Sequence, residues 1–378
     1  MRPDKQAAND DPRILDTDKW SAHVSGDLGD LPDSVVELEA LAEARVDKLA
    51  WDYIAHGAGD EITMRDNVAA WERLRLRPHV LRDMSDVQTT TSVLGTTIDL
   101  PVLVAPTAMH RFYCDEGEPA TARAAARAGT VMVVSMAATT SLEDIAAAAP
   151  DAPHWAQMYM LRDHGLSRSL AERARDAGYA ALMISVDGAA IPRRSRLSGG
   201  SLTPPPSFRF PNLAPPGTDN ADLMAMVDFD SSVTVDDLAQ FREWSGLPIV
   251  TKGVMRGDDA AACVDAGVVA IAVSNHGGRT LDGTIATADA LADVVEGVGG
   301  RAEVYVDGGI RNGSDIVKAL ALGARAVMVG RPVLWGLAVA GEDGAAGVLA
   351  VLADDTRRAL ALCGADRPER VTPDFVAR

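Results

Sequence analysis

The segment SNHGGRTLDG, residues 274–283, follows directly on an apolar run, VVAIAV, residues 268–273. It sets an imidazole, His276, and a guanidinium, Arg279, three residues apart with two glycines between them. Histidine exchanges protons near neutral pH. Arginine offers a planar fork of donors that matches a carboxylate or a phosphate. Glycine lets the backbone turn tightly. A chain leaving a buried strand thus presents an imidazole and a guanidinium at once on a flexible turn.

Two further motifs point to an anion. DGGIRNG, residues 307–313, and VGRP, residues 329–332, each end an apolar run. Their glycines let backbone N–H groups approach an anion, and a helix starting near Asn312 aims its positive end at the same place. Arg311 and Arg331 add charge. Taken alone, these motifs indicate a phosphorylated ligand or a pair of tight turns. Lys252, in TKGV, ends another apolar run. It reads either as a cation beside a flavin ring, where it stabilises negative charge, or as a Schiff-base lysine.

The elements that must carry these residues repeat. Eight β-rich runs occur at 101–108, 130–136, 154–160, 181–187, 247–253, 270–275, 303–309 and 326–332. Amphipathic, alanine-rich stretches such as 118–128, 166–177, 258–266 and 312–322 lie between them. Continuous apolar strands suit a parallel sheet buried on both faces. Eight strand–helix units predict an α/β fold, a (β/α)8 TIM barrel, with an N-terminal helical segment at 36–75 and a long loop after strand 4. An open doubly wound sheet is the alternative, but no GxGxxG follows the first strand. Residues 1–35 read as an irregular tail and 36–378 as a single barrel domain. The loop at about 188–234 is rich in proline and glycine, and a loop of that length is either a lid or disordered. Its origin at the C-terminal end of a strand favours the lid.

That same end of the barrel collects the polar residues Thr107, Ser135, Gln157, Tyr159, Ser185, Asp187, Lys252, Ser274, His276, Asp307 and Arg331. A capping or barrel-mouth role accounts for any one of them, but not for the whole series.

Composition narrows the partners. Lys and Arg number 36 against 54 Asp and Glu, a formal charge of −18 that disfavours nucleic acid and anionic membrane as partners. The cysteines, Cys114, Cys263 and Cys363, form no CxxC pair, so neither a disulfide framework nor a metal site is expected. No apolar run reaches the ~18 residues of a membrane span. A cytoplasmic location is the default expectation.

The motifs DYIAHGAGDEITMRDN, VAPTAM, AQMY, TKGV, SNHGGRTLDG and DGGIRNGSDIVKALALGARAVMVGRP, spread from about residue 52 to 364, together resemble the FMN-dependent 2-hydroxy acid oxidases and dehydrogenases. That group includes glycolate oxidase, lactate oxidase and mandelate-oxidising enzymes. The resemblance implies FMN as cofactor, a 2-hydroxy acid as substrate and a homotetramer. It implies His276 as the base with Asp187 as its partner, and Arg279 and Arg194 as the carboxylate clamp. Tyr53 and Tyr159 would hydrogen-bond the substrate. Pro106, Thr107, Ala108, Ser135, Gln157, Tyr159, Ser185, Lys252 and Ser274 would meet the flavin. Asp307, Gly308, Gly309, Ile310, Arg311, Gly330 and Arg331 would hold ribityl and phosphate.

Ala137 stands where relatives often carry a large aromatic ring, which implies room for a substrate bulkier than glycolate unless Met160, Phe208 or Phe210 refills the space. After Asp187 the chain reads GAAIP, a departure from the family that leaves Arg193 as an alternative to Arg194. His23, His79 and His164 read as exposed, and His56 and His154 as structural. His110 reads as either structural or facing the pocket. The expected acceptor is oxygen, giving hydrogen peroxide. A quinone or cytochrome acceptor, a decarboxylating monooxygenase, FMN chemistry on another substrate and a non-catalytic flavin-binding role are the alternatives.

Overall fold

A computed structural model describes residues 32, 34–190, 192–194, 204–213 and 228–377. Three helices, α1 (Glu37–Glu43), α2 (Lys48–Ala55) and α3 (Ile62–Arg73), precede the sheets. A short hairpin, β1 (Thr91–Val93) and β2 (Thr96–Ile98), comes next. Eight parallel strands then close a barrel: β3 (Val102–Val104), β4 (Met132–Ser135), β5 (His154–Met158), β6 (Ala181–Ser185), β7 (Ile249–Val254), β8 (Ala270–Val273), β9 (Glu303–Val306) and β10 (Ala326–Val329). These are the eight β-rich runs of the sequence, trimmed at their ends. A helix follows each strand: α4 (Glu118–Arg127), α5 (Leu142–Ala148), α6 (His164–Asp176), α7 (Leu238–Ser245), α8 (Gly257–Asp265), α9 (Thr287–Val298), α10 (Gly313–Ala321) and α11 (Arg331–Cys363).

The core divides into two clusters because strand side chains alternate between faces. Leu103, Val133, Trp155, Met183, Val250, Ala272, Tyr305 and Met328 fill the barrel interior. Val102, Val104, Met132, Leu182, Ile271 and Val327 belong to the other cluster, with the helices. Two residues beyond the inward set, the same parity reaches Ala105, Ser135, Gln157, Ser185, Lys252, Ser274, Asp307 and Gly330. The barrel interior is therefore apolar until its last layer, which is mostly polar. This alternation is why so many β-rich runs end on a polar residue.

The hairpin, which the sequence pattern does not announce, closes the opposite end. Its turn takes Leu94 (φ 47°) and Gly95 (φ 79°) through the left-handed region, as a two-residue hairpin loop requires. Leu94 N–H donates to both carboxylate oxygens of Glu303 at 3.2 Å. Val93 and Ile98 join the interior cluster. Helix α11 is long and apolar enough to cross a membrane by composition alone. It is instead broken at Ala340 and Gly341, and Leu334, Trp335, Leu337, Val348, Leu349 and Leu352 are buried in the barrel wall.

The N-terminal helices are bonded to the polar end of the barrel. Asn67 of α3 and Asn275, just past β8, exchange reciprocal amide hydrogen bonds at 2.8 Å. Trp71 Nε1 donates to Gly308 O at 2.7 Å, and Ala58 N–H donates to Gly278 O at 2.8 Å. A Cβ on Gly278 would lie 2.6 Å from the backbone of Met64, and its φ is +75°. Gly278→Ala is therefore expected to destabilise the fold by about 2 kcal/mol or more, from left-handed strain plus the clash with α3. Chemical denaturation of the purified variant measures it.

Candidate active site

A cavity of about 410 Å3 opens at the polar end of the barrel. The turn after β8 presents His276 to it. His276, Gly277 and Gly278 have φ of +58°, +64° and +75°, three consecutive left-handed residues. Such a conformation is costly for a non-glycine residue and persists only where its surroundings enforce it. Here Ser274 Oγ accepts from His276 N–H at 3.0 Å, and Asn275 Oδ1 accepts from Gly278 N–H at 3.1 Å. His276 Nδ1 lies 3.1 Å from Asp187 Oδ2, in the loop after β6. Burial pushes the Asp187 carboxyl up, but the charge and hydrogen bond of His276, with the charge of Lys252, hold it below its usual value. An ionised Asp187 accepts from Nδ1–H, so Nε2 is the ring nitrogen left for chemistry.

Arg279 Nη1 donates to the carbonyls of Tyr53 at 2.7 Å and His56 at 2.9 Å. Its guanidinium lies 4.9 Å from the centre of the Tyr53 ring, and that of Arg194 lies 5.7 Å from it. Burial, and then the charge of Arg279, lower the Arg194 guanidinium to about 10. Arg331 donates to Ile54 O at 2.8 Å and Gly277 O at 3.0 Å, while Arg311 donates to Ile310 O and packs on the Trp335 ring at 4.9 Å. Burial, then Arg279 and Arg311, bring Arg331 down to about 9. Four guanidiniums thus line one cavity, held among the described residues by backbone carbonyls and aromatic rings and by no side-chain carboxylate. Their mutual repulsion and desolvation favour an incoming anion.

Lys252 is buried, with Nζ 3.0 Å from Ser274 Oγ and 3.3 Å from Asp307 Oδ2. This pairing makes it a fixed positive charge and disfavours the Schiff-base reading. Gln157 Nε2 donates to Ser185 Oγ at 3.0 Å.

The family model for FMN-dependent dehydrogenases matches residues 42–378. The chain belongs to that family. It is 44% identical over 357 residues to the L-lactate oxidase of a Nostoc species, covering 91% of this chain and 98% of that one. It is 40% identical to 2-hydroxyacid oxidase 1 of Mus musculus over 355 residues, covering 91% and 96%. Among solved structures, a mandelate oxidase variant with (S)-mandelic acid superposes with a TM-score of 0.84 at 38% identity, covering 92% of this chain and 98% of that one. A mandelate oxidase with benzoyl-formic acid gives 0.83 at 38% identity, with the same coverage.

The residues present fit the FMN of this family. Asp307 Oδ1 is buried with no hydrogen-bond partner among the described residues, which suits a ligand hydroxyl. Helix α11 starts after Gly330 with no side-chain cap, so its positive end lies at the cavity beside Arg331 and Arg311, where a phosphate would be held. Pro106, Thr107, Ala108, Ser135, Gln157, Tyr159, Ser185, Lys252, Asp307, Gly308, Gly309, Ile310, Arg311, Gly330 and Arg331 line the cavity, as do Tyr53, Ala137, Arg194, His276 and Arg279.

One expectation needs correction. Ser274 is fully buried beneath the cavity; its hydroxyl joins Lys252, Asp307 and His276 N–H and does not reach the cavity wall. Asp187 stands behind His276, beside Nδ1 of its ring, outside the cavity lining. The remaining open readings also resolve. Arg194, not Arg193, faces the cavity, while Arg193 O accepts from Gly59 N–H at 3.0 Å. His110 is wholly buried and outside the lining. His79 and His164 lie at the surface, 3.2 Å from Asp374 Oδ2 and 2.9 Å from Asp230 Oδ2, with side chains 36% and 45% exposed. His23 lies outside the described residues with the rest of 1–31 and residue 33, as do 191, 195–203 and 214–227 of the long loop.

The described pieces of that loop add Pro192, Pro204, Phe210, Leu213 and Phe229 to the cavity wall. No local pattern marks these residues, since their place depends on how the loop folds back. An isolated bridge pairs Phe229 with Leu161, and the Phe229 ring stacks on Tyr159 with centroids 4.4 Å apart.

The Asp187 pairing has a pH signature. A carboxyl whose folded value is depressed adds stability above its unfolded value, and that stability is lost as pH falls through the folded value. The native protein should therefore melt higher than Asp187→Asn at neutral pH, and the gap should close as pH drops below about 4. Thermal melts at a series of pH values check it. Lys252→Met leaves Asp307 as an unpaired buried charge, a change worth about 3–5 kcal/mol. It should weaken FMN retention, as measured by fluorescence titration of the stripped protein.

Proposed function

We propose that this chain is an (S)-2-hydroxy acid oxidase that converts a 2-hydroxy acid to the 2-oxo acid, with oxygen as the final acceptor and hydrogen peroxide as the second product. The observation that carries this reading is one shared cavity. It holds a base backed by a carboxylate, His276 with Asp187, and two guanidiniums, Arg194 and Arg279, that pair with no carboxylate among the described residues. The substrate's carboxylate binds across Arg194 and Arg279, whose planar donors fix its orientation. Tyr53, against both guanidiniums, and Tyr159 hold the hydroxyl end by hydrogen bonds. His276 takes a proton at Nε2, and Asp187 stabilises the imidazolium that forms. Bound FMN supplies the two-electron acceptor. Lys252 supplies a buried positive charge in the same cavity. The oxidase names of the relatives, L-lactate oxidase and 2-hydroxyacid oxidase, support oxygen over a quinone or cytochrome.

The substrate's side chain is apolar. Ala137 leaves the β4 side of the cavity open, and Pro204, Phe210, Leu213 and Phe229 supply an apolar wall from the long loop. Of the side chains that could refill the space, Phe210 lines the cavity, whereas Phe208 packs on Phe112 with centroids 4.7 Å apart and Met160 is buried away from it. The complexes of mandelate oxidase with mandelic and benzoyl-formic acids support an aromatic side chain as one member of the substrate class.

Steady-state kinetics test this reading. Each added apolar group that enters the wall contributes about 1–3 kcal/mol. Thus kcat/KM should rise from glycolate through lactate to longer or aromatic 2-hydroxy acids; glycolate as the best substrate would contradict the apolar wall. His276→Ala should lower kcat by about 10²–10⁴-fold while the protein keeps its FMN colour. Arg279→Lys should raise KM by about tenfold or more, because a single ammonium cannot hold the carboxylate and both carbonyls. Full turnover in both variants would refute the assignment.

A further inference from the structure

Thr107 lines the cavity beside Gly330, and its hydroxyl is not free to turn. Thr107 Oγ1 lies 2.7 Å from His110 Nε2. The other ring nitrogen, Nδ1, lies 2.9 Å from Thr121 Oγ1 on α4. His110 is wholly buried between these two hydroxyls. The backbone that carries the ring is anchored by Glu118, also wholly buried, at the start of α4. Its carboxylate accepts from His110 N–H at 3.0 Å, Thr139 N–H at 2.9 Å, Thr139 Oγ1 at 2.7 Å and Thr140 Oγ1 at 3.1 Å. With four donors on one carboxylate at a helix N-terminus, the His110 backbone is held in place, while the hydroxyls of Thr107 and Thr121 hold the ring. Burial pushes the imidazole down, so it stays neutral at working pH.

A neutral imidazole donates from one nitrogen and accepts at the other. If Nε2 accepts, Thr107 spends its proton on the ring and turns lone pairs to the cavity. If Nε2 donates, the Thr107 proton faces the cavity. The tautomer that Thr121 selects at Nδ1 therefore sets the hydrogen-bond polarity that Thr107 shows to whatever lies against it. A flavin ring changes its hydrogen-bonding demand on two-electron reduction, because ring nitrogens that accept become N–H donors. A hydroxyl of fixed polarity therefore favours one oxidation state over the other.

We propose that His110 is a positioning residue that acts through Thr107 to bias the redox equilibrium of FMN. The inference rests on FMN occupying the cavity and not on the identity of the substrate.

Anaerobic redox titration of the FMN-loaded protein with a chemical reductant tests it without any 2-hydroxy acid, so its outcome is separate from that of the oxidase reading. His110→Leu removes the polarity, and His110→Gln keeps a polar group but lets the amide present either end. Each should shift the reduction equilibrium at least about tenfold, which is about 30 mV for a two-electron couple. The sign reports which polarity the native Thr107 shows. In a Thr107→Val background the same His110 changes should produce no further shift. His110→Gln carries the test if the leucine variant does not retain FMN. An unchanged potential in the His110 variants, or an equal shift with and without the Thr107 hydroxyl, would overturn the proposal and leave His110 a packing residue.

Discussion

The site depends on a turn that an ordinary sequence would not adopt. His276, Gly277 and Gly278 run through the left-handed region in succession, at the end of a strand buried on both sides. The strain is held by neighbours on three sides. Ser274 accepts from the turn's first N–H from below, Asn275 accepts from its last, and α3 covers Gly278 so closely that a methyl group would strike Met64. Gly277 answers to a different neighbour, since a Cβ there would lie 2.8 Å from Arg331 Nη1. The same few residues therefore point the base at the cavity, seat a cavity arginine and dock the N-terminal helices. A local rule is broken where chemistry is expected, and the rest of the fold compensates.

Electrostatics explain why an acidic protein can hold an acid. The chain carries a formal −18, yet Arg194, Arg279, Arg311 and Arg331 line one cavity with carbonyls and aromatic rings as partners. Of the acidic groups nearby, Asp187 is turned to His276, Asp307 to Lys252 and Ser274, and Asp315 to the backbone N–H of Arg311. Each anion the cavity receives, a phosphate or a substrate carboxylate, relieves repulsion already present.

Much of this was legible in the sequence, because it follows from alternation. An inward-facing residue in a strand fixes the direction of the residue two places on, so Trp155 implies Gln157, Val250 implies Lys252 and Tyr305 implies Asp307. Chain-local patterns of that kind identified the barrel, the anion motifs and most of the lining. Ser274 shows the limit of the rule. Its parity is right, but the hydroxyl stays below the surface as a bridge between Lys252 and Asp307. Contacts set by non-local folding were not legible. The long-loop residues Phe210, Leu213 and Phe229 carry no periodicity that marks a pocket. The hairpin is short and its left-handed Leu94 looks unremarkable in sequence. The enclosure of His110 by Glu118, Thr121 and Thr107 needs α4 to fold back over the strand end.

The central claim is that His276, Asp187, Arg194 and Arg279 present a 2-hydroxy acid to FMN in this one cavity. The most direct measurement is the absorbance of the FMN-loaded protein after anaerobic mixing with a panel of 2-hydroxy acids, followed by admission of air. The account requires that an acid with an apolar side chain bleach the flavin and yield its 2-oxo acid. Air should then restore the colour with formation of hydrogen peroxide. A flavin that stays oxidised with every 2-hydroxy acid, while a chemical reductant bleaches it readily, would contradict the account.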